Sequence, residues 1–427
     1  MRRVVVTGVG IISPLGVGAS ASWQGLLAGT CGIHRVQSFD PGAFAAQIAG
    51  EVPPYKIGDF VPKSYRKATK VMARDIELAV IAADDAFKSS GIQSKAYTDT
   101  PSFNPDRFGC NIGAGLISAE LNELTAAFNV ARNGNDLDLK KWGVEGMQQL
   151  TPLWLLKYLP NMLACHVTIV HGLKGPSNTI TCADAAGHLA IGEGFRTIGR
   201  GSADMTICGG AQSRVNPMGF MRQELAGRLC RTSNACPEKA VAPFDASAAG
   251  TAIGEGGGLL ILEEYEAAKA RGAKIICEIV GFGASQDAYS ISEPDPSGTA
   301  YGAAITKALA DAKVKPSEVS CLIPCATGHP RHDQAELAGL QHAFGSALSQ
   351  IPMALPKSQT GNIEAGNAAE CAFAALAVSN DMVPPAINTS NDKLNLARSA
   401  RAQTVNVAVS TVWSIGGQNA ALVFKKA

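Results

Sequence analysis

No stretch of this chain approaches the roughly 20 consecutive apolar residues that a helix needs to cross a bilayer, so no membrane segment is expected. Met1-Arg2-Arg3 followed by Val4-Val5-Val6 imitates a secretory leader, but the apolar run meets Thr7-Gly8-Val9-Gly10 and then Pro14. A strand entering a glycine turn accounts better for that pattern. An excess of one charge sign is also missing: 37 Lys and Arg stand against 36 Asp and Glu, for a net charge of +1, with no long basic run. The electrostatic footprint of a nucleic-acid binder is therefore absent. The eleven cysteines are odd in number and contain no Cys-x-x-Cys pair. That usage fits reduced thiols in a cytoplasmic protein, not a disulfide framework or a zinc site. A dinucleotide fingerprint is lacking as well. With 45 glycines, short Gly-x-Gly strings arise by chance, and none opens a helix after a strand with an acidic residue about 20 positions on. No cofactor is expected.

What is present is enough apolar material for a large core: 46% of 427 residues are hydrophobic and only 17% are charged. Strand-like runs alternate with segments of helical period, as in Val4–Val6, Arg74–Ser89, Met205–Cys208, Leu259–Leu262, Ile275–Val280, Val405–Val409 and Ala420–Phe424. This is an α/β pattern. Two of these strands end in similar glycine turns, Thr7-Gly8-Val9-Gly10 and Val280-Gly281-Phe282-Gly283. The echo suggests a duplicated unit with a seam near Gly254–Gly258, giving halves 1–256 and 257–427.

Three glycine-punctuated strand-to-helix turns carry polar residues in otherwise apolar surroundings: Thr181–Glu193, Pro324–Glu336 and Lys357–Gly366. Together with Val4–Gly10, Gly175-Pro176, Cys208-Gly209-Gly210, Pro243-Phe244-Asp245, Gly254-Glu255-Gly256, Leu262–Tyr265 and Gly416–Asn419, they fall in one family's order along nearly the whole chain. The sequence resembles the elongating β-ketoacyl-ACP synthases. That resemblance implies a five-layered αβαβα thiolase-like fold from two similar halves, normally dimeric.

The departures from the family pattern fall on its catalytic positions. A gapless match from Gly175-Pro176 through Ile191-Gly192 puts Asp184 at the family's acyl-accepting cysteine. A one-residue slip, which brings His188 onto the family's helix histidine, puts Ala183 there instead, and Cys182 falls at that position in neither register. The second segment has Cys325 where the family has histidine, and in the third Lys357-Ser358-Gln359-Thr360-Gly361-Asn362 ends on Asn362 instead of the second histidine. In the family a thiolate at a helix N-terminus accepts the acyl chain. Two histidines then stabilise the enolate formed as malonyl-ACP loses carbon dioxide. A carboxylate at 184 could yield only a reactive anhydride, and each lost acid/base or oxyanion group typically costs roughly 10²–10³-fold. Condensation by this chain alone is not expected.

Lys357, Asp333 and Glu336 match a polar network that lies beneath the family's histidines. His329, His332 and Asp333 imitate a metal cluster, but their spacing is weak and no metal is expected. The family's gating turn reads here as Trp413-Ser414-Ile415-Gly416-Gly417, bulkier and with one glycine fewer. Lys63, Arg66, Lys67 and Lys70, at i, i+3, i+4 and i+7, describe a basic helix face suited to an acidic carrier protein. The resemblance implies three partners: acyl carrier protein, an intact ketosynthase in a heterodimer, and a second copy in a homodimer. The leading expectation is a chain-length-factor-like subunit that shapes the acyl tunnel. The alternative is altered acyl transfer or thioester hydrolysis through Cys325 or Asp184.

Overall fold

Two strings of eight elements repeat one another along the chain. In the computed structural model, which describes residues 1–427, the first string is β1 (Val4–Ser13), α1 (Arg74–Ser90), β2 (Phe108–Gly113), α2 (Met162–His171), β3 (Ser177–Ile180), α3 (Ala186–Gly199), β4 (Met205–Ser213) and β5 (Ile253–Glu264). The second is β6 (Cys277–Gln286), α4 (Thr299–Ala312), β7 (Cys321–Ile323), α5 (Pro330–Phe344), β8 (Pro352–Met353), α6 (Ala368–Asn380), β9 (Val407–Trp413) and β10 (Gln418–Lys425). The first half pairs in the order β1-β5-β4-β2-β3, antiparallel at the first two contacts and parallel at the last two. The second half pairs β6-β10-β9-β7-β8 with the same senses. Val4–Val6 of β1 also pairs antiparallel with Cys277–Ile279 of β6, joining the halves.

The layers follow from where the apolar faces point. Ile191, Phe195 and Ile198 of α3 share one buried cluster with Phe373 and Val378 of α6 and with Val6, Leu262 and Leu422 of the strands. These two helices form the middle layer. Helices α1 and α2 cover the outer face of the first sheet, where Ile76, Val80 and Phe87 meet Phe108 and Ile112. Helices α4 and α5 cover the second through Tyr301, Ile305, Leu340 and Phe344. The result is the expected five-layered αβαβα arrangement. Each fully buried large side chain contributes roughly 1.5–3 kcal/mol. α1 is delimited locally: its first turn carries Asp75 and Glu77, and Gly91 ends it at φ 70°.

The glycine echo is real, but it does not end the strands, which continue to Ser13 and Gln286. A Cβ on Gly8 or Gly10 would lie 2.5 Å from Ala86 O or 1.9 Å from Ala82 O of α1. On Gly281 or Gly283 it would lie 2.2 Å from Ala308 O or 2.1 Å from Ala304 O of α4. In both halves the glycines let a helix backbone rest directly on the sheet. Each pairing also shifts register there, between Val6 and Gly8 and between Ile279 and Gly281. The Gly254–Gly258 run lies inside β5.

The basic segment differs from its expected form. Lys63–Tyr65 and Ala68–Val71 are two 3₁₀ turns instead of one α-helix, although all four basic side chains are exposed. Residues 63–70 carry four like charges and no acid among them, so pairing within the run does not favour an α-helix. The Thr69 hydroxyl donates to Arg66 O at 2.8 Å, a local competitor to helical bonding.

The two sheets end differently. β8 is covered by a short parallel strand, Asn395–Leu396. β3 pairs only with β2, and its outer edge has no partner strand.

Candidate active site

The loops that lead into the two middle helices face each other. β3 turns into α3 through a 3₁₀ turn at Ala183–Ala185 that begins with Ala183 at φ 42°. The chain after β8 enters α6 through a 3₁₀ turn at Glu364–Asn367 that begins with Glu364 at φ 51°. Non-glycine residues held in this region cost free energy that the surrounding structure must offset. The two strained turns bring together Asp184, 1% exposed, and Asn362, 4% exposed.

Asn362 Nδ2 donates to Asp184 Oδ1 at 2.7 Å. Its Oδ1 accepts from Asn367 Nδ2 at 2.8 Å and from the Glu364 backbone N–H at 3.3 Å. The amide is therefore already engaged at both ends. Arg228 Nη2 donates to Asp184 Oδ2 at 3.4 Å, and Arg228 Nη1 stands 3.7 Å from Glu364 Oε1. Glu364 also accepts from Arg214 Nε and Gln223 Nε2. Burial raises the Glu364 pKa, with the Arg214 charge acting against it. Burial disfavours the Arg228 charge, but Asp184 and Glu364 outweigh it and hold its pKa above the ordinary value.

Cys325 is wholly enclosed, with its Sγ 3.8 Å from Trp413 O. Burial pushes the thiol well above its ordinary range, although the Lys357 charge acts the other way. A neutral, enclosed thiol is a poor nucleophile. Its loop is pinned by α5: Glu336 accepts from the N–H groups of Cys325 (2.6 Å) and Ala326 (2.7 Å) and from the Tyr301 hydroxyl (2.5 Å). Asp333 accepts from the N–H of Gly328 at 3.1 Å and of Phe244 at 2.8 Å. Lys357 Nζ donates to Glu370 Oε1 of α6 at 2.6 Å; burial opposes its charge, but that carboxylate keeps its pKa raised.

The other anticipated residues fall around this centre. Trp413 ends β9 and meets the His332 ring edge-on at 4.7 Å. Ser414 is fully buried and donates to Cys182 O at 2.8 Å, tying the Trp413–Gly417 turn to the strand-to-helix loop. Ile415 lines a cavity of about 460 Å³ beside Ala183 and Arg228. His188 shares a hydrogen bond with Ser410 Oγ at 2.9 Å, and burial depresses its pKa to about 3. His329 and His332 lie with ring centroids 4.0 Å apart, but no group of three or more His, Cys, Asp or Glu side chains is arranged to hold a metal ion. Lys63, Arg66, Lys67 and Lys70 are not part of this centre. Arg214, Gln223, Arg228 and Glu364 were not anticipated. Of these, Glu364 carried a signal, as a carboxylate between Ile363 and Ala365 in a glycine-rich, apolar turn.

The N-terminal domain of β-ketoacyl synthase matches residues 1–268, and the C-terminal domain matches residues 276–390. The chain belongs to the β-ketoacyl synthase family. It is 33% identical over 433 residues to 3-oxoacyl-[acyl-carrier-protein] synthase 2 of Vibrio cholerae, covering 100% of this chain and 99% of that protein. Among solved structures it resembles the ishigamide ketosynthase/chain length factor, with a TM-score of 0.84 and 26% identity over 100% of this chain and 99% of that one. It also resembles a type II polyketide-synthase acyl-carrier protein–ketosynthase complex bound to the hexaketide, with a TM-score of 0.82 and 25% identity over 100% and 99% of the two chains. The thiolase-type fold and the ketosynthase ancestry thus agree with the layers and with the duplicated strand order. No helix is long and apolar enough to cross a membrane.

Proposed function

We propose that this chain is a non-condensing ketosynthase homologue of fatty-acid or polyketide synthesis. In this reading it pairs with an intact ketosynthase, works with acyl carrier protein and shapes part of the acyl tunnel, as a chain length factor does. The observation that carries the reading is the state of residue 184. The group at the head of α3 is a buried carboxylate held by Asn362 and Arg228, not a free nucleophile. The Asp184 register is favoured over the slipped one because Ala183 supplies only the strained bend, whereas Asp184 meets Asn362.

Two further features support pairing. The outer edge of β3 has no strand against it, and open edges invite pairing with another chain. Between β2 and β3, Leu116, Leu139, Val144, Met147, Leu153 and Leu155 are each more than half exposed. Such surface suits a partner subunit. The chain expressed alone is expected to form a homodimer through the same edge, and a heterodimer with a co-expressed ketosynthase. The enclosure and raised pKa of Cys325 weigh against acyl transfer or thioester hydrolysis through its thiol.

Co-expression with an intact ketosynthase from the same genome, followed by intact-mass analysis of each subunit after incubation with acyl-ACP, tests the proposal. Acylation is expected on the partner alone, in a heterodimer. Acylation of this chain, or a homodimer that never exchanges with that ketosynthase, would overturn it.

A further inference from the structure

The cavity beside Asp184 is charged in a way that a pocket for a neutral acyl chain is not. It encloses about 460 Å³, within the roughly 300–1,000 Å³ of small-molecule sites, and Arg214, Arg222 and Arg228 stand in its wall. Asp184 and Glu364 are the carboxylates that ion-pair with these guanidiniums, so three arginines share two paired carboxylates. Arg222 makes no ion pair, and its Nη1 donates only to Ser118 Oγ at 3.3 Å. Burial and the neighbouring Arg214 charge lower its pKa.

A second observation is independent of that charge count. Arg228 is 4% exposed, yet its Nε and Nη1 have no hydrogen-bond partner. Unsatisfied buried donors are rare in folded proteins and mark places where a ligand or water belongs. Thr181, Gln223 and Ser292 also line the wall, and its apolar part is formed by Leu116, Ala226, Ile291 and Ile415.

From this combination we infer that the cavity binds the anion of an aliphatic carboxylic acid, its carboxylate on Arg222 and Arg228 and its hydrocarbon body against Leu116, Ile291 and Ile415. The site is distinct in chemistry from a thioester-accepting pocket, because the ligand arrives as a free acid and no bond is made or broken. It lies within this chain and does not depend on the partner-subunit reading.

Isothermal titration of the purified protein, in whatever oligomeric state it holds, with octanoate, 1-octanol and octylamine tests the inference. Octanoate is expected to bind saturably at one per chain, at least tenfold more tightly than the alcohol or the amine. Arg222→Met should weaken octanoate by roughly ten- to a hundredfold, as expected for one charge-assisted hydrogen bond, and leave octanol unaffected. Arg222 makes no ion pair, so this variant should keep its fold, and the three-ligand comparison on the unaltered protein stands without it. Equal binding of octanol and octanoate would identify a neutral acyl pocket and overturn the inference. So would unchanged octanoate affinity in Arg222→Met, or no saturable binding by any of the three. Condensation and acylation assays do not enter this test, so its failure is separable from that of the partner-subunit proposal.

Discussion

Replacing Arg228 by Met removes the cation that lies between Asp184 and Glu364 and keeps most of its hydrocarbon volume. At 3.4 and 3.7 Å, each carboxylate attracts the guanidinium by on the order of 5 kcal/mol at an effective dielectric of 20. The variant also relieves the cost of burying the guanidinium, so the net loss is smaller than the Coulomb terms suggest. Removing one partner of a buried pair typically costs about 3–5 kcal/mol because the remaining charge stays buried and uncompensated. Arg228→Met is therefore expected to lose about 3–5 kcal/mol in urea unfolding. Asp184→Asn should cost less, about 1–2 kcal/mol, since it removes a charge along with one acceptor and leaves Arg228 its contact with Glu364. The double variant should recover part of the loss, with a coupling energy of about 1–3 kcal/mol. The assay is a double-mutant cycle from four unfolding curves at fixed salt. Single losses that add to within about 0.5 kcal/mol would refute the reasoning, because Asp184 and Arg228 would then not share one electrostatic unit.

Three further outcomes are expected. Gly10→Ala and Gly283→Ala should each cost about 1–3 kcal/mol or more, since the added methyl meets Ala82 O at 1.9 Å or Ala304 O at 2.1 Å, while Gly143→Ala, with nothing within 4 Å, should stay within about 0.5 kcal/mol of the parent; equal effects at all three would remove the close-packing argument. Asp75, Asp333 and Glu370 are pushed up to about 7, mainly by burial; folding then favours their protonated forms, a contribution that is complete below their ordinary pKa values and is lost as pH rises through about 7. Urea midpoints should fall between pH 5 and pH 7.5, and Asp333→Asn should flatten that slope; an unchanged slope would contradict the raised pKa of Asp333. Iodoacetamide should label the exposed Cys236 and spare the enclosed Cys325 in the folded protein; peptide mapping that finds both labelled at similar rates would show the Cys325 loop to be open.

Much of the fold was legible because its signals are local or repeated. Patterned strands and the run of motifs from Val4–Gly10 to Gly416–Asn419 fix the order of elements, and the Gly8/Gly10 and Gly281/Gly283 pairs mark where each half seats a helix on its sheet. What those glycines do was read wrongly, since a glycine beside a strand suits both a turn and a place of close approach. Only the helix packed on the other side distinguishes the two. The basic run at 63–70 was misread for a related reason: spacing of i, i+3, i+4 and i+7 describes a face only if an α-helix forms. At the site, Asp184, Cys325 and Asn362 stood out as departures from a known motif. Arg214, Arg222 and Arg228 did not, because they are scattered along 15 residues that look like surface. A buried cation is recognised by its partners, and Glu364 is brought to them only by folding.

Those arginines bear on the proposed replacement at position 184. The duplicated fold places the heads of α3 and α6 against each other, and here each carries a carboxylate, Asp184 in one loop and Glu364 in the other. Two buried anions on facing loops would repel, and each gains only about 0.3–1 kcal/mol from its helix terminus. Arg228, bridging both, and Arg214, on Glu364, make the arrangement tenable. Asp184 is thus tied to Arg228 and Asn362 directly, and through Arg228 to Glu364 and Arg214. Asp184→Cys alone would place a thiol beside a guanidinium that had lost one of its two counter-ions, in a site where Asn362 is held by Asn367 and Cys325 is enclosed. A nearby guanidinium favours the thiolate, so cysteine chemistry could return at 184. Under the proposed reading, condensation would still lack an imidazole at 325 and at 362. The loss of condensation proposed above would then rest on the packing of the whole centre, not on one side chain.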